Sequence, residues 1–270
     1  MENLENVSLW LSLGGVALSI ALFIIDFAVQ RRGGGKPRLN IAAVLTAGLS
    51  IVFITLTIIS RIVLTGHGPF SNMYEFSLSF AWGVVVAGFA FHRRYKADSI
   101  LNMTLIIALL LLIFARVQYT PPSSLVPALQ QSALLSAHVA SAVVAYGTLT
   151  IGFVAAVMYL VQKRYELSWL PDLEVLDNIT YRSVMVGFPF LTLLIVLGAL
   201  WADIAWGRYW GWDPKETASL VTWLIYAAYM HTRLVRGWKG RRASILLIAG
   251  FLAIAFTFFG NYIFSGLHVY

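Results

Sequence analysis

The residues best suited to chemistry lie in one short stretch, Trp201-Ala-Asp-Ile-Ala-Trp206-Gly-Arg-Tyr-Trp210-Gly-Trp212-Asp213-Pro-Lys-Glu216. Trp201, Trp206, Trp210, Trp212 and Tyr209 fall within twelve residues. Gly207 and Gly211 allow close backbone approach. So many aromatic rings beside small residues predict a flat apolar platform for a large planar ligand, and porphyrin is the obvious candidate. Tryptophan and tyrosine also gather at membrane interfaces as a belt. A belt spreads around a bundle, however, whereas these rings are concentrated in one connection, which favours the ligand. Asp213, Pro214 and Glu216 carry the pattern of a helix start, with an N-cap, a proline in the first turn and a carboxylate three residues on. Capping accounts for Asp213 and Glu216 as well as ligand contact does. Arg208 and Lys215 suit the carboxylates of an anionic cofactor.

Five histidines are the candidate iron ligands: His67, His92, His138, His231 and His268. His138 and His268 are expected at the depth of the Trp-rich segment, on different spans. Two imidazoles flanking an aromatic floor are what six-coordinate heme iron requires. Ser141 and Ala145, on the face of His138, are small and leave room for a flat ring. The alternative is two unrelated interfacial histidines. His231 is seventeen residues past Pro214, about 25 Å deeper at 1.5 Å per residue, and cannot share that ligand. His92 has the depth for an inner site, but Arg93 and Arg94 beside it suggest a solvated helix end, so a partner subunit is another source of an inner ligand. His67, in Gly66-His67-Gly-Pro-Phe-Ser-Asn72-Met-Tyr-Glu75, is expected at an outer turn, where turn structure is the simpler account.

The elements that must position these side chains follow from composition. Hydrophobic residues make up 59% of 270 residues, charged residues 11%, and the mean hydropathy is +0.79. Soluble domains carry about 25% charged residues. The expected class is therefore an all-α polytopic membrane protein, one bundle domain over residues 1–270. Its roughly eight spans are Leu9 to Val29, Asn40 to Leu64, Ser71 to Phe91, Ile100 to Ala115, Ala133 to Val161, Tyr181 to Leu200, Glu216 to Leu234 and Ala243 to Phe264. The first lacks the basic flank of a cleaved signal and reads as a retained span. The stretch from Glu166 to Asp177 reads as an interfacial helix, and Trp201 to Glu216 as an outer loop. Of the 19 basic residues, all but Arg61, Arg116, Arg208 and Lys215 lie in alternate connections, which places those connections in the cytoplasm and both termini outside. That asymmetry accounts for the net charge of +7 without nucleic acid. With no cysteine, the chain cannot form a disulfide or attach heme covalently.

At these positions the sequence resembles the CcsA/ResC family of System II cytochrome c biogenesis, within the heme-handling superfamily marked by a tryptophan-rich WWD motif. The resemblance runs from Arg61 and His67 to Glu75, through His138, Trp206 to Glu216 and His231, to Gly266-Leu267-His268. It implies a multi-pass protein of a bacterial inner or thylakoid membrane, with the Trp-rich site on the periplasmic or lumenal side. It further implies that His138 and His268 ligate an external heme b, that His231 ligates a transmembrane heme, and that a CcsB/ResB-like subunit completes a holocytochrome c synthase. Heme would be moved across the membrane and presented to apocytochrome c bearing Cys-x-x-Cys-His, with the protein supplying position and the cofactor the chemistry. Other possibilities are a HemX-like regulatory protein of the same superfamily and a b-type electron-transfer protein. The latter typically pairs two histidines on one helix, a pattern missing here.

Overall fold

A computed structural model describes residues 1–31, 39–123, 125 and 132–259. Among them are eight α-helices and no strand: α1 (Glu2–Arg31), α2 (Leu39–Thr65), α3 (Met73–Tyr95), α4 (Asp98–Val117), α5 (Ser132–Tyr165), α6 (Leu173–Trp206), α7 (Pro214–Val235) and α8 (Arg241–Phe259). The all-helical expectation holds, and seven of the eight are long and apolar enough to cross a membrane. The exception is α7, where Trp223, Tyr226, Tyr229 and His231 take places that the other helices give to aliphatic side chains. At 34 residues each, α5 and α6 run about 51 Å, well beyond a hydrocarbon core of about 30 Å. No separate interfacial helix forms over Glu166 to Asp177. Glu166 takes a left-handed φ of +49° and ends the α5 course, and α6 starts at Leu173.

The helices fall into two compact units, Met1–Leu125 and Val126–Tyr270, a subdivision that the sequence reading did not draw. In the first, α1 packs on α2 and α4, and α3 on α4 and α2. Leu9, Val16, Ile54, Leu78, Leu101 and Leu105 fill its interior. Polar bonds cross between its helices as well: Ser19 Oγ donates to the Ala43 carbonyl at 2.7 Å and Trp82 Nε1 to Thr55 Oγ1 at 2.9 Å. Without water as competitor, such bonds and close packing hold membrane helices together.

One end of this unit is tied by ions. Arg61 and Glu75 are wholly buried and Glu5 is 1% exposed. Arg61 Nε donates to Glu75 Oε1 at 2.8 Å, and its Nη2 to the Thr120 carbonyl at 2.9 Å. Arg61 Nη1 lies 3.6 Å from Glu5 Oε1, which also accepts from Tyr74 Oη at 2.8 Å. The second oxygen of Glu75 takes the Ser71 N–H and hydroxyl, both at 2.8 Å. All four helices of the unit or their flanking loops meet at this cluster.

In the second unit α5 packs on α6 and α8, and α7 on α8 and α6. Trp223 Nε1 donates to Thr192 Oγ1 at 2.9 Å, and Phe153 stacks on Phe251 at 4.1 Å. The start of α6 is fastened to the end of α7 by Arg233, whose guanidinium meets Asp177 at 3.0 and 2.6 Å.

Candidate heme-handling site

The Trp-rich segment is not one loop. Trp201 to Trp206 are the last turns of α6, Pro214 to Glu216 open α7, and only Gly207 to Asp213 connect them. Hydrophobic length explains this: the α6 course continues past Leu200 until Gly207, whose φ of +72° closes the helix as its N–H bonds the Asp203 carbonyl at 2.8 Å. Nor are the rings coplanar. Trp201 and Trp206 meet edge to face at 4.8 Å and 74°, Trp210 and Trp212 at 5.9 Å and 87°. The aromatic quadrupole favours such pairs over a flat sheet of rings.

Trp212 stands out in this connection. It is 69% exposed and sits at a φ of +58°, the left-handed region that bulky side chains avoid. Glu216 holds it there: one carboxylate oxygen, Oε2, accepts from the Gly211 N–H at 2.7 Å and the Asp213 N–H at 3.2 Å, the amides on either side of Trp212. Asp213 Oδ1 in turn accepts the Glu216 N–H at 2.9 Å, completing a capping box. Both carboxylates that the sequence left open between capping and ligand contact are thus engaged in shaping the connection. Of the two cations, Arg208 is exposed and its guanidinium lies over Gly211, while Lys215 is half-buried in the first turn of α7.

His138 is brought to the same helix. Its Nδ1 lies 2.8 Å from the main-chain carbonyl of Leu194 on α6, seven residues before Trp201. A carbonyl only accepts, so the imidazole proton sits on Nδ1 and Nε2 carries the lone pair. This is the arrangement of a metal-binding histidine oriented by an outer partner. Gly198 makes it possible: a Cβ there would come within 2.8 Å of the His138 ring. Ser141 bonds back to the Ala137 carbonyl and Ala145 is buried, so the small residues of this face serve packing in the unit.

The remaining histidines separate. His268 lies outside the described residues. His231 is exposed in the last turns of α7, two residues before the Arg233 that pairs with Asp177, and is remote from Pro214 along the same helix. His67 belongs to the first unit, buried, with Nδ1 2.8 Å from the Gly68 carbonyl and Nε2 3.0 Å from that of Ser123, so it joins two connections. His92 is not at a solvated end: it is 7% exposed and its Nε2 pairs with Asp98 at 2.7 Å. Among the described residues no group of three or more side chains could hold a metal ion by itself. Sequence reasoning missed the Leu194 carbonyl, Gly198 and the bracing role of Glu216. The first two carry no sequence signal, and the third showed only its local half, the capping box.

Such a chain is an all-helical, multi-pass membrane protein with an imidazole oriented beside a tryptophan-rich helix end. The profile of the family described as Cytochrome C assembly protein matches residues 70–268, and the chain belongs to that family. It is 31% identical to the cytochrome c biogenesis protein CcsA of Porphyra purpurea, over 100% of this chain and 98% of that one. Identity to the CcsA proteins of Prochlorococcus marinus (strain MIT 9312) and Guillardia theta is 36% and 35%, covering 81% and 82% of this chain and 81% and 83% of theirs. Among solved structures, the cytochrome c heme lyase CcmF superposes with a TM-score of 0.68 at 18% identity over 96% of this chain, which spans about half (49%) of that longer chain; the likeness is one of fold.

Proposed function

We propose that this multi-pass protein serves cytochrome c biogenesis as the component that carries heme across the membrane and presents it at the Trp-rich segment for attachment to apocytochrome c. The observation that carries this reading is the His138 imidazole, fixed by the Leu194 carbonyl with its lone pair on Nε2, on the helix that runs into Trp201 and Trp206. His138 supplies one axial ligand and His268 the other. Trp206, Trp210 and Trp212 form the wall, and Arg208 and Lys215 pair with the propionates. Asp213 acts from behind, with Glu216, by setting the wall's shape. His231 ligates a second heme within the membrane, for which a CcsB/ResB-like subunit supplies the opposing ligand. His67, with both ring nitrogens on main-chain carbonyls, stays outside the ligand set.

The cargo is heme b, whose vinyl groups receive the two thiols of the Cys-x-x-Cys-His segment. The chain's own task is to orient: it has no cysteine and contributes no thiol. The site faces the periplasm or thylakoid lumen, a reading supported by the bias of basic residues toward the opposite connections. Purification with the partner subunit and an optical spectrum test the reading. His138→Ala loses the low-spin bis-imidazole absorption and cytochrome c attachment, and added imidazole restores the spectrum in part. An unchanged spectrum in His138→Ala overturns it.

A further inference from the structure

Both ring nitrogens of His67 face the same kind of group. Nδ1 lies 2.8 Å from the Gly68 carbonyl and Nε2 3.0 Å from the Ser123 carbonyl. A carbonyl oxygen only accepts, and a neutral imidazole carries one N–H, so on a neutral ring one of these contacts sets a nitrogen lone pair against an oxygen. On an imidazolium both are hydrogen bonds.

The surroundings suit that cation. His67 is buried in the turn between α2 and α3, with the Phe70 ring 6.0 Å away. The far end of the same turn, Ser71 and Asn72, meets Glu75. The charged side chains at this end of the unit are Glu2 and Glu5 of α1, Arg61 of α2, Glu75 of α3 and Arg116 of α4. Glu2 is exposed, and Arg116, half-buried, lies over the rings of Trp10 and Tyr119. Glu5, Arg61 and Glu75 are enclosed, two carboxylates against one guanidinium. Enclosed charge is tolerated where it is compensated, and an imidazolium in the adjoining turn supplies the second cation.

Two cations then hold one connection. Arg61 Nη2 donates to the Thr120 carbonyl at 2.9 Å and to the Pro121 carbonyl at 3.4 Å, and His67 takes the carbonyl of Ser123. A guanidinium keeps its protons at every biological pH, whereas histidine as a residue type exchanges its second proton between about pH 5 and 8. Thr120 is therefore a permanent anchor and Ser123 a conditional one. A neutral ring keeps a single N–H. The Gly68 contact is with the next residue and closes no loop, whereas the Ser123 contact spans 56 residues, so Gly68 retains the proton and Ser123 is released. Three residues beyond Ser123, at Val126, the chain enters the second unit.

We propose that His67 is a proton-operated latch on the connection between α4 and α5: as an imidazolium it ties Ser123 to the α2–α3 turn, and loss of one proton frees it. The latch is separate from the heme ligands proposed above and does not depend on them.

The chain has no cysteine, so Ser123→Cys in the full chain accepts one nitroxide label on an exposed side chain and leaves the main-chain carbonyl in place. In detergent the electron spin resonance spectrum is mainly immobilised at about pH 6, and the ratio of mobile to immobile label rises about tenfold or more by about pH 8.5, the effect of losing one hydrogen bond from a charged donor. A label at Val117→Cys, 77% exposed at the end of α4, shows no such change. His67→Gln makes the Ser123 label mobile at both pH values. In the 15N spectrum of histidine-labelled protein, the signals missing from His67→Gln show both nitrogens protonated at the lower pH. A neutral tautomer there, equal label mobility at the two pH values, or a pH response that survives in His67→Gln overturns the proposal. Should His67→Gln fail to fold, the comparison of the Ser123 and Val117 labels decides: a response at Ser123 alone carries the latch, and none or an equal one at both positions overturns it.

Discussion

Trp212 gives the sharpest test of how the Trp-rich connection is built. An L-residue held in the left-handed region costs about 1–2 kcal/mol, whereas glycine adopts it freely at a loss of about 0.5–1 kcal/mol in chain entropy. The indole is 69% exposed, so its buried share of about 200 Å² of aromatic surface is roughly 60 Å², worth about 1.5 kcal/mol at 25 cal/mol/Å². Trp212→Ala therefore loses the ring and keeps the strain, with an expected destabilisation of about 1.5 kcal/mol. Trp212→Gly loses the ring and releases the strain, for a net loss of about 0.5 kcal/mol. The glycine variant is thus expected to be the more stable by about 1 kcal/mol, although it removes more atoms. Unfolding in mixed micelles measures this difference, and heme retention after purification reports function, which both variants lose. If alanine is as stable as glycine, the φ of +58° carries no strain and the bracing argument for Glu216 fails. If the glycine variant retains heme, Trp212 is not part of the wall.

Two further perturbations probe the elements behind the site and behind the first unit. In Gly198→Ala the added methyl would come within 2.8 Å of the His138 ring and displace it from the Leu194 carbonyl; a 10–100-fold weaker heme affinity, measured by titration of the apoprotein, is the expected result of losing such an outer partner. Arg61→Ala leaves Glu75 and Glu5 buried without their cation, at a cost of about 3–5 kcal/mol in the same unfolding assay, and Arg61→Met combined with Glu75→Gln and Glu5→Gln recovers most of it because both uncompensated charges are removed.

The helices were legible because their determinants are local. Runs of aliphatic residues without charges specify membrane helices wherever they occur, and the N-cap of α7 was written in Asp213, Pro214 and Glu216. The end of α6 was not, because the continued apolar course after Leu200 outweighs the loop-like look of four tryptophans, and Gly207 alone stops it. The flat platform failed for a related reason. Composition counts rings, but their tilt is set by the quadrupole and by the backbone angles of Gly207 and Trp212, which composition does not carry.

His92 and Arg61 show a second limit, which concerns charge. Beside Arg93 and Arg94, His92 reads as part of a solvated basic end, and Arg61 reads as one of a few basic residues marking the outer face. Both are buried, one against Asp98 and the other between Glu5 and Glu75. The bias of basic residues between loops measures solvated charge, so a paired and enclosed arginine contributes nothing to it. Excluding Arg61 from that count leaves still fewer cations on the outer side and makes the asymmetry stronger. The residue that seemed to weaken the orientation is instead a tie across the helices of the first unit. An ion cluster enclosed so completely is expensive to desolvate, and it persists only where each charge is met: Arg61 is met by two carboxylates and the Thr120 carbonyl, Glu75 by the Ser71 amide and hydroxyl as well.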